Sequence, residues 1–268
     1  MGDEAMTTTT RPKLQVRGAI FGGHSYLLCV PLVSATRERL VADARHALAY
    51  RPDLLEWRAD YYDGYPRIEP ILEGLAALRD VAGNTPIIFT TRHAEEDGAR
   101  AITVEEKSAL IDEASRTGMA DLVDIELQYG VSRVAAWRQQ LHERDVRVIV
   151  SAHSFKKSTK PEALRELLRS GQETGADIVK YVTRARNIRE LADLSDTIHE
   201  ARATFVKVPL IVGAVGSVSP LMRLIGDYLG SDMTFVSAGT SKSHASQLHI
   251  EEFRRLRDRL AVPPFAQR

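Results

Sequence analysis

Asp177-Ile178-Val179-Lys180-Tyr181-Val182 is an apolar, β-branched run that follows Gly175-Ala176 and gives way to polar residues. That pattern predicts a short buried β-strand, with a lysine at its centre. An unpaired charge in such a place is costly. Lys180 is therefore either an edge lysine whose stem carries the ammonium out to water, or an interior amine that is paired or neutral. Desolvation favours the neutral form of a lysine, and a neutral amine is a nucleophile toward carbonyls. What surrounds the strand decides between the two.

Working outward, the strand is one of a regular series. Strands are predicted over Leu27–Val33, Leu54–Asp60, Pro86–Arg92, Leu122–Leu127, Arg147–His153, Asp177–Val182, Pro209–Val215 and Met233–Ala238. Helices are predicted over Glu38–Tyr50, Pro70–Val81, Val104–Thr117, Val131–Arg144, Pro161–Glu173, Asn187–Ala203, Pro220–Leu229 and Ile250–Leu260. Pro70 reads as the first helical position, Thr103 with Glu106 has the spacing of a capping box, and Gly230 closes a helix. Leu14–Tyr26 reads as a hairpin turning at Gly22-Gly23. Eight strand–helix pairs at roughly 30 residues each are β/α repeat units. The strands are continuously apolar, as strands covered on both faces must be. An eight-stranded parallel (β/α)8 TIM barrel and an open doubly wound sheet compete. The count of eight and a length near 250 favour the barrel, and no Gly-x-Gly-x-x-Gly follows the first strand. Residues 1–12 read as a disordered tail, and 13–268 as one barrel domain.

Composition narrows the function classes. The chain has 268 residues, 44% hydrophobic and 27% charged, with formal net charge zero. Bulk charge therefore points to neither nucleic acid nor membrane as a partner. A single cysteine, Cys29, excludes an intrachain disulfide framework and a Cys-based zinc site; it reads as a small core residue. No apolar run approaches the ~20 residues of a membrane span, and the tail has no apolar signal core. A cytoplasmic location is the expectation.

In a barrel of this kind the active site lies at the carboxyl ends of the strands. Glu56, Arg58 and Asp60 alternate along the second strand, which puts all three on one face. Thr91-Arg92 ends the third strand. Asp124 and Glu126 lie two apart on the fourth, either in the site or as an ion-pair layer beneath it. Ser151-Ala152-His153 ends the fifth, Lys180 lies in the sixth, and a Ser-, Lys- and Gly-rich loop, Gly239–Gln247, follows the eighth. Singly, Arg92 reads as a salt-bridge residue and His153 as a structural histidine; gathered at consecutive strand ends, they read as a site. One lysine, one histidine and several arginines suit Schiff-base chemistry on an anionic carbonyl compound. The lysine attacks the carbonyl, the histidine moves protons, and the arginines bind a carboxylate. The carboxylate spacing matches no metal motif, and no cofactor is called for.

These stretches resemble the type I 3-dehydroquinate dehydratases, the Schiff-base-forming class of the shikimate pathway. Glu56-Trp57-Arg58-Ala59-Asp60 is similar to the family's E-W-R-x-D, Phe89-Thr90-Thr91-Arg92 to F-T-x-R, and Val123-Asp124-Ile125-Glu126-Leu127 to V-D-x-E-L. Ser151-Ala152-His153-Ser154-Phe155 matches S-x-H-x-F, and Ala176-Asp177-Ile178-Val179-Lys180 matches A-D-I-x-K. The resemblance runs from about Tyr26 to Leu260. It implies a barrel that dehydrates 3-dehydroquinate to 3-dehydroshikimate by syn elimination. Lys180 would form an imine with the C3 ketone, and His153 would act as general acid and base, paired with Glu96. Glu56, Arg58, Arg92 and Arg223 would hold the substrate. Ser243 and Gln247 would belong to a mobile loop closing over it. No metal or nucleotide is implied, and members are often dimers, so a homodimer is expected.

The sequence departs from the family at Pro31, where many relatives carry a small polar residue, and at Gly213–Pro220, where methionines are common. The Pro-Gly common between the two loop positions Ser243 and Gln247 is also missing. Two other functions compete. An aldolase-type Schiff-base enzyme acting on a sugar phosphate needs a phosphate cradle after the seventh and eighth strands, but leaves the Glu56–Arg58–Asp60 face without use. A sensor that only binds a carboxylate metabolite needs neither Lys180 nor His153.

Overall fold

The computed structural model describes residues 11–239 and 245–260. A short hairpin, β1 (Leu14–Val16) and β2 (Ala19–Phe21), precedes eight parallel strands. These are β3 (Leu27–Leu32), β4 (Leu54–Arg58), β5 (Ile87–Thr90), β6 (Leu122–Glu126), β7 (Arg147–Ser154), β8 (Ile178–Arg184), β9 (Leu210–Val215) and β10 (Met233–Phe235). Their order, β10-β3-β4-β5-β6-β7-β8-β9, is sequential around the sheet. The β9–β10 seam is stitched at its base: Asp232 N–H donates to the Leu210 carbonyl (2.7 Å), and Leu210 N–H donates to the Asp232 carboxylate (2.8 Å). Helices α1 (Arg37–Ala49), α2 (Ile68–Ala82), α3 (Val104–Arg116), α4 (Val131–His142), α5 (Pro161–Glu173), α6 (Ile188–Thr204), α7 (Ser219–Ile225) and α8 (Ile250–Arg259) follow the strands in turn. The architecture is a TIM barrel.

Alternation along the strands sorts the core into two shells. Outward residues such as Leu55, Trp57, Phe89, Val123, Val150, Val179 and Val212 pack under the helices. Inward residues at the strand starts, Cys29, Leu54, Ile88, Leu122, Ile149, Ile178, Ile211 and Met233, fill the barrel floor, and Val16, Ala19 and Phe21 of the hairpin plug it from below. Cys29 is fully buried in this layer. Two residues further along β4 to β8, the next inward layer is polar: Glu56, Thr90, Asp124, Ser151 and Lys180. The apolar floor excludes water from below, so these charges act on one another in a poorly screened interior.

Local signals explain the helix starts. Thr103 and Glu106 form the capping box on α3, Asn187 caps α6, and Pro161 stands in the first turn of α5. Several predicted boundaries differ from those observed. The hairpin turns at Arg17-Gly18, with Arg17 at φ 48°, rather than at Gly22-Gly23, because Val16 pairs with Ala19 and sends Phe21 into the floor. Helix α2 begins at Ile68, so Pro70 falls within its first turn and not at its first position. Strand β4 stops at Arg58, where the chain enters a 3-10 turn over Ala59–Tyr61. Helix α7 stops at Ile225, since Ser231 N–H bonds back to the Gly226 carbonyl (2.8 Å) and a Cβ at Gly226 would lie 2.1 Å from the Tyr26 hydroxyl. Of the residues read as a tail, 1–10 lie outside those described, whereas Arg11 ion-pairs with Asp232 at 3.0 Å.

Candidate active site at the barrel mouth

Lys180 points inward from the middle of β8 and is 4% exposed. Its ammonium donates to Asp124 Oδ2 at 2.9 Å, lies 3.5 Å from Glu56 Oε1, and sits 4.6 Å from the centre of the Phe235 ring. Asp124 is the hub of the layer. Arg92 donates to the same Oδ2 (2.8 Å), and Ser151 donates to Oδ1 (2.5 Å). Burial alone would raise the Asp124 pKa; Arg92 and then Lys180 outweigh it and hold the carboxyl well below the usual range. Arg92 also donates to Glu126 (3.0 Å) and to Ser151 (2.7 Å). Behind Glu126 lies Lys107 of α3, fully buried, donating to that carboxylate and to the Thr91 carbonyl at 2.8 Å. Three carboxylates, Glu56, Asp124 and Glu126, thus face three cations, Arg92, Lys107 and Lys180. Buried charges persist because each is paired and hydrogen-bonded.

A second group stands nearer the mouth. His153, near the end of β7, has Nδ1 2.6 Å from Glu96 Oε2. Burial raises the Glu96 carboxyl to about 8, Arg92 opposing. Burial, then Arg92 and Lys180, push the His153 imidazole well below its ordinary value. Both displacements favour a pair without net charge, joined by a short hydrogen bond. The loop carrying Glu96 is folded tightly: Glu96 and Gly98 N–H both donate to the His93 carbonyl, and Asp97 takes φ 69°. It is clamped to β4. Arg58 makes a bidentate ion pair with Asp60 (2.8 Å twice) and donates to the Asp97 carbonyl (3.1 Å), while Asp60 accepts from Ala99 N–H (2.9 Å).

These groups open into a cavity of about 750 Å³ including its mouth. Its polar side holds Glu56, Arg58, Arg92, Glu96, His153 and Lys180; its other side is the apolar wall of β9, with Val182, Met222 and Phe235, and Arg223 and Gln247 at the edge. Arg223 donates to Ser246 Oγ (3.2 and 3.3 Å) and to the Phe235 carbonyl (3.2 Å). Among the described residues no carboxylate pairs with it, and burial pulls its pKa down to about 10. A desolvated guanidinium without a carboxylate is a ready receptor for an anionic ligand.

Of the residues singled out from the sequence, Lys180, His153, Glu96, Glu56, Arg58, Arg92, Arg223 and Gln247 all line this one cavity. Ser243 lies outside the described residues. Asp60 does not line the cavity but holds Arg58. Asp124 and Glu126 form the ion-pair layer below. Sequence reading passed over Lys107, and took in Ser151 and Ser246 only as members of longer stretches, with no role of their own. Lys107 had a signal: it shares helical spacing with Leu110, Ile111 and Ala114 on the buried face of α3.

A (β/α)8 barrel with a buried lysine, a histidine–glutamate pair and an arginine that has no carboxylate partner among the described residues, at the carboxyl ends of its strands, defines a lysine-centred TIM-barrel enzyme. Residues 28–261 match the family model for type I 3-dehydroquinase. The 3-dehydroquinate dehydratase of Geobacillus thermodenitrificans is 34% identical over 241 residues, 89% of this chain and 92% of that protein. The crystal structure of the Geobacillus kaustophilus 3-dehydroquinate dehydratase superposes with a TM-score of 0.90 at 31% identity, covering 97% of this chain and 99% of that one. A type I 3-dehydroquinate dehydratase from Clostridium difficile, solved with covalently modified comenic acid, gives 0.88 at 28% identity, covering 94% and 98%. The chain belongs to the type I 3-dehydroquinase family.

Proposed function

We propose that this chain dehydrates 3-dehydroquinate to 3-dehydroshikimate through an imine on Lys180, with His153 as general base and then general acid. The observation that carries the reading is the placement of Lys180 Nζ at the inner end of the cavity, against Asp124 and Glu56, in the same cavity as the His153–Glu96 pair. Attack on the C3 ketone needs the amine free of its proton; Glu56, 3.5 Å from Nζ, can take it, while Asp124 stays ionised. The proton taken from the amine is returned to the carbinolamine hydroxyl, which leaves as water and gives an iminium cation. That cation inherits the ion pair with Asp124, so its charge is stabilised where it develops. His153 Nε2 removes the C2 proton, and the electron pair flows toward the iminium nitrogen to give an enamine. The enamine then expels the C1 hydroxyl, which leaves as water with the proton His153 returns. Hydrolysis of the imine frees the product and restores Lys180.

Glu96 holds the imidazole by Nδ1 and so sets which nitrogen faces the substrate. The lone cation at the edge, Arg223, suits the substrate carboxylate, and Arg58, Arg92, Glu56 and Gln247 suit its hydroxyls. The covalently modified comenic acid of the Clostridium difficile relative supports covalent chemistry with a carboxylic acid in this family. No helix among the described residues is long and apolar enough to cross a membrane, in keeping with a cytoplasmic biosynthetic enzyme; we propose a homodimer.

Borohydride reduction in the presence of 3-dehydroquinate, read by intact mass and peptide mapping, tests the reading. A reduced adduct on Lys180, absent from Lys180→Ala together with turnover, is expected. Enone formation without any trapped adduct would overturn the imine, and an adduct on another lysine would overturn the assignment.

A further inference from the structure

Three glycines lie inside the helices and strands of the described residues: Gly74 in α2, Gly171 in α5 and Gly213 in β9. Glycine in an element interior is destabilising relative to alanine, so each calls for a reason. Two have one in packing. A Cβ on Gly74 would lie 2.8 Å from the Trp57 ring, and one on Gly171 3.1 Å from Val179. Gly213 has no such reason. Its φ lies outside the left-handed region, and the three atoms nearest an added Cβ would all be Val182 side-chain carbons, at 3.4 to 3.9 Å, an ordinary contact. The fold would accept a side chain there.

What a side chain would change is the cavity. Gly213 lies in register with Val182 on β8, two residues beyond Lys180 and its partner Ile211. Val182 and Gly213 both line the cavity, on the wall that Val215, Met222 and Phe235 make apolar. The missing side chain leaves a recess in that wall just above the lysine, bounded by carbon on the sides that the structure places.

We infer that Gly213 is a specificity-determining residue whose recess accepts an apolar substituent on a cyclic keto acid held at Lys180. The inference rests on the proposed lysine site for its orientation, but the recess concerns binding and not the imine step. A ketone fixed at Lys180 with its carboxylate toward Arg223 directs a neighbouring ring carbon toward β9. An alkyl group on that carbon enters the recess instead of water, at roughly fourfold in affinity per methylene buried.

The test is equilibrium binding by calorimetry of 3-oxocyclohexane-1-carboxylate and its analogues carrying methyl, ethyl or propyl on a carbon beside the ketone. Wild type is compared with Gly213→Ala and Gly213→Val. Wild type is expected to prefer the ethyl analogue over the unsubstituted acid by roughly 15-fold. Gly213→Val should lower that preference at least tenfold and Gly213→Ala by an intermediate factor, with melting temperatures no lower than wild type. A preference unchanged in Gly213→Ala and in any folded Gly213→Val, or a wild type that rejects the alkyl analogues, would overturn the inference. Failure of the lysine reading is separate: it would appear as 3-dehydroquinate that is neither turned over nor trapped by wild type.

Discussion

Replacing Glu96 by glutamine should remove a specific segment of the protein's pH dependence. Glu96 titrates at about 8 in the folded chain against 4.5 in its ordinary state, with burial as the main cause. Between those values the folded state holds a proton that the unfolded state has lost, so stability falls as pH rises through that window. His153 acts in the opposite sense. Its folded value lies well below 6.5, so the unfolded chain takes up the extra proton below 6.5, and stability falls as pH drops from there. Below 6.5 the two slopes oppose one another. From 6.5 to about 8 only Glu96 contributes, and at 1.36 kcal/mol per pH unit wild type should lose roughly 2 kcal/mol. Glu96→Gln has no such group and should be flat over that interval. Urea denaturation at pH 6.5, 7.0, 7.5, 8.0 and 8.5 measures both. Other titrating groups are common to the two proteins and cancel in the difference. Parallel curves, differing in slope by less than a few tenths of a kcal/mol, would refute the account of Glu96 as a carboxyl kept protonated by burial.

The same proton bears on catalysis. With two protons on the pair, both imidazole nitrogens are occupied, whichever partner the shared proton sits on. Loss of one leaves ionised Glu96 on Nδ1–H and a free lone pair on Nε2, the form that removes a proton from carbon. The kcat/KM of wild type should therefore climb through neutrality and level off above about 8. That lies at the upper edge of the few units around the free-histidine value of roughly 6.5 that sequence alone suggests. Glu96→Gln should show a lower plateau without that limb.

Three further outcomes follow from the geometry. His153→Ala should lower turnover by on the order of 10²–10⁴-fold while a borohydride-trappable adduct still accumulates on Lys180; near-normal turnover would exclude the histidine as proton carrier. Lys107→Met leaves Glu126 buried with Arg92 and the His93 N–H as its partners among the described residues, and should cost about 3–5 kcal/mol in chemical denaturation, with much of that recovered in the double variant Lys107→Met/Glu126→Gln. Asp60→Asn weakens the clamp that joins Arg58 to the Glu96 loop, and should reduce kcat/KM by up to about 10²-fold; the same change in a Glu96→Gln background should cost far less, whereas additive losses would show that Asp60 acts elsewhere.

Legibility in the sequence followed the range of the interaction concerned. Strands were readable because each buried strand is apolar on both faces, and the active face was readable because Glu56, Arg58 and Lys180 break that apolar pattern at inward positions. The hairpin turn was misplaced because Arg17 adopts a positive φ that no composition rule assigns to arginine, while Gly22-Gly23 looked like the stronger signal. Asp124 was visible as an inward carboxylate, yet its bond to Lys180 crosses the intervening strand β7, a relation that no local pattern encodes. Lys107 is the instructive omission. A lysine on the buried stripe of a helix is expensive for the same reason as one in a buried strand, and the periodicity that marks α3 as amphipathic marks Lys107 as inside it. Its amine reaches Glu126 from the helix layer, and Arg92 divides its donors among Asp124, Glu126 and Ser151 within. The helix layer therefore supplies one of the charges that fix the electrostatics around Lys180, and a charge on any apolar stripe facing a strand of opposite charge is a candidate for that role.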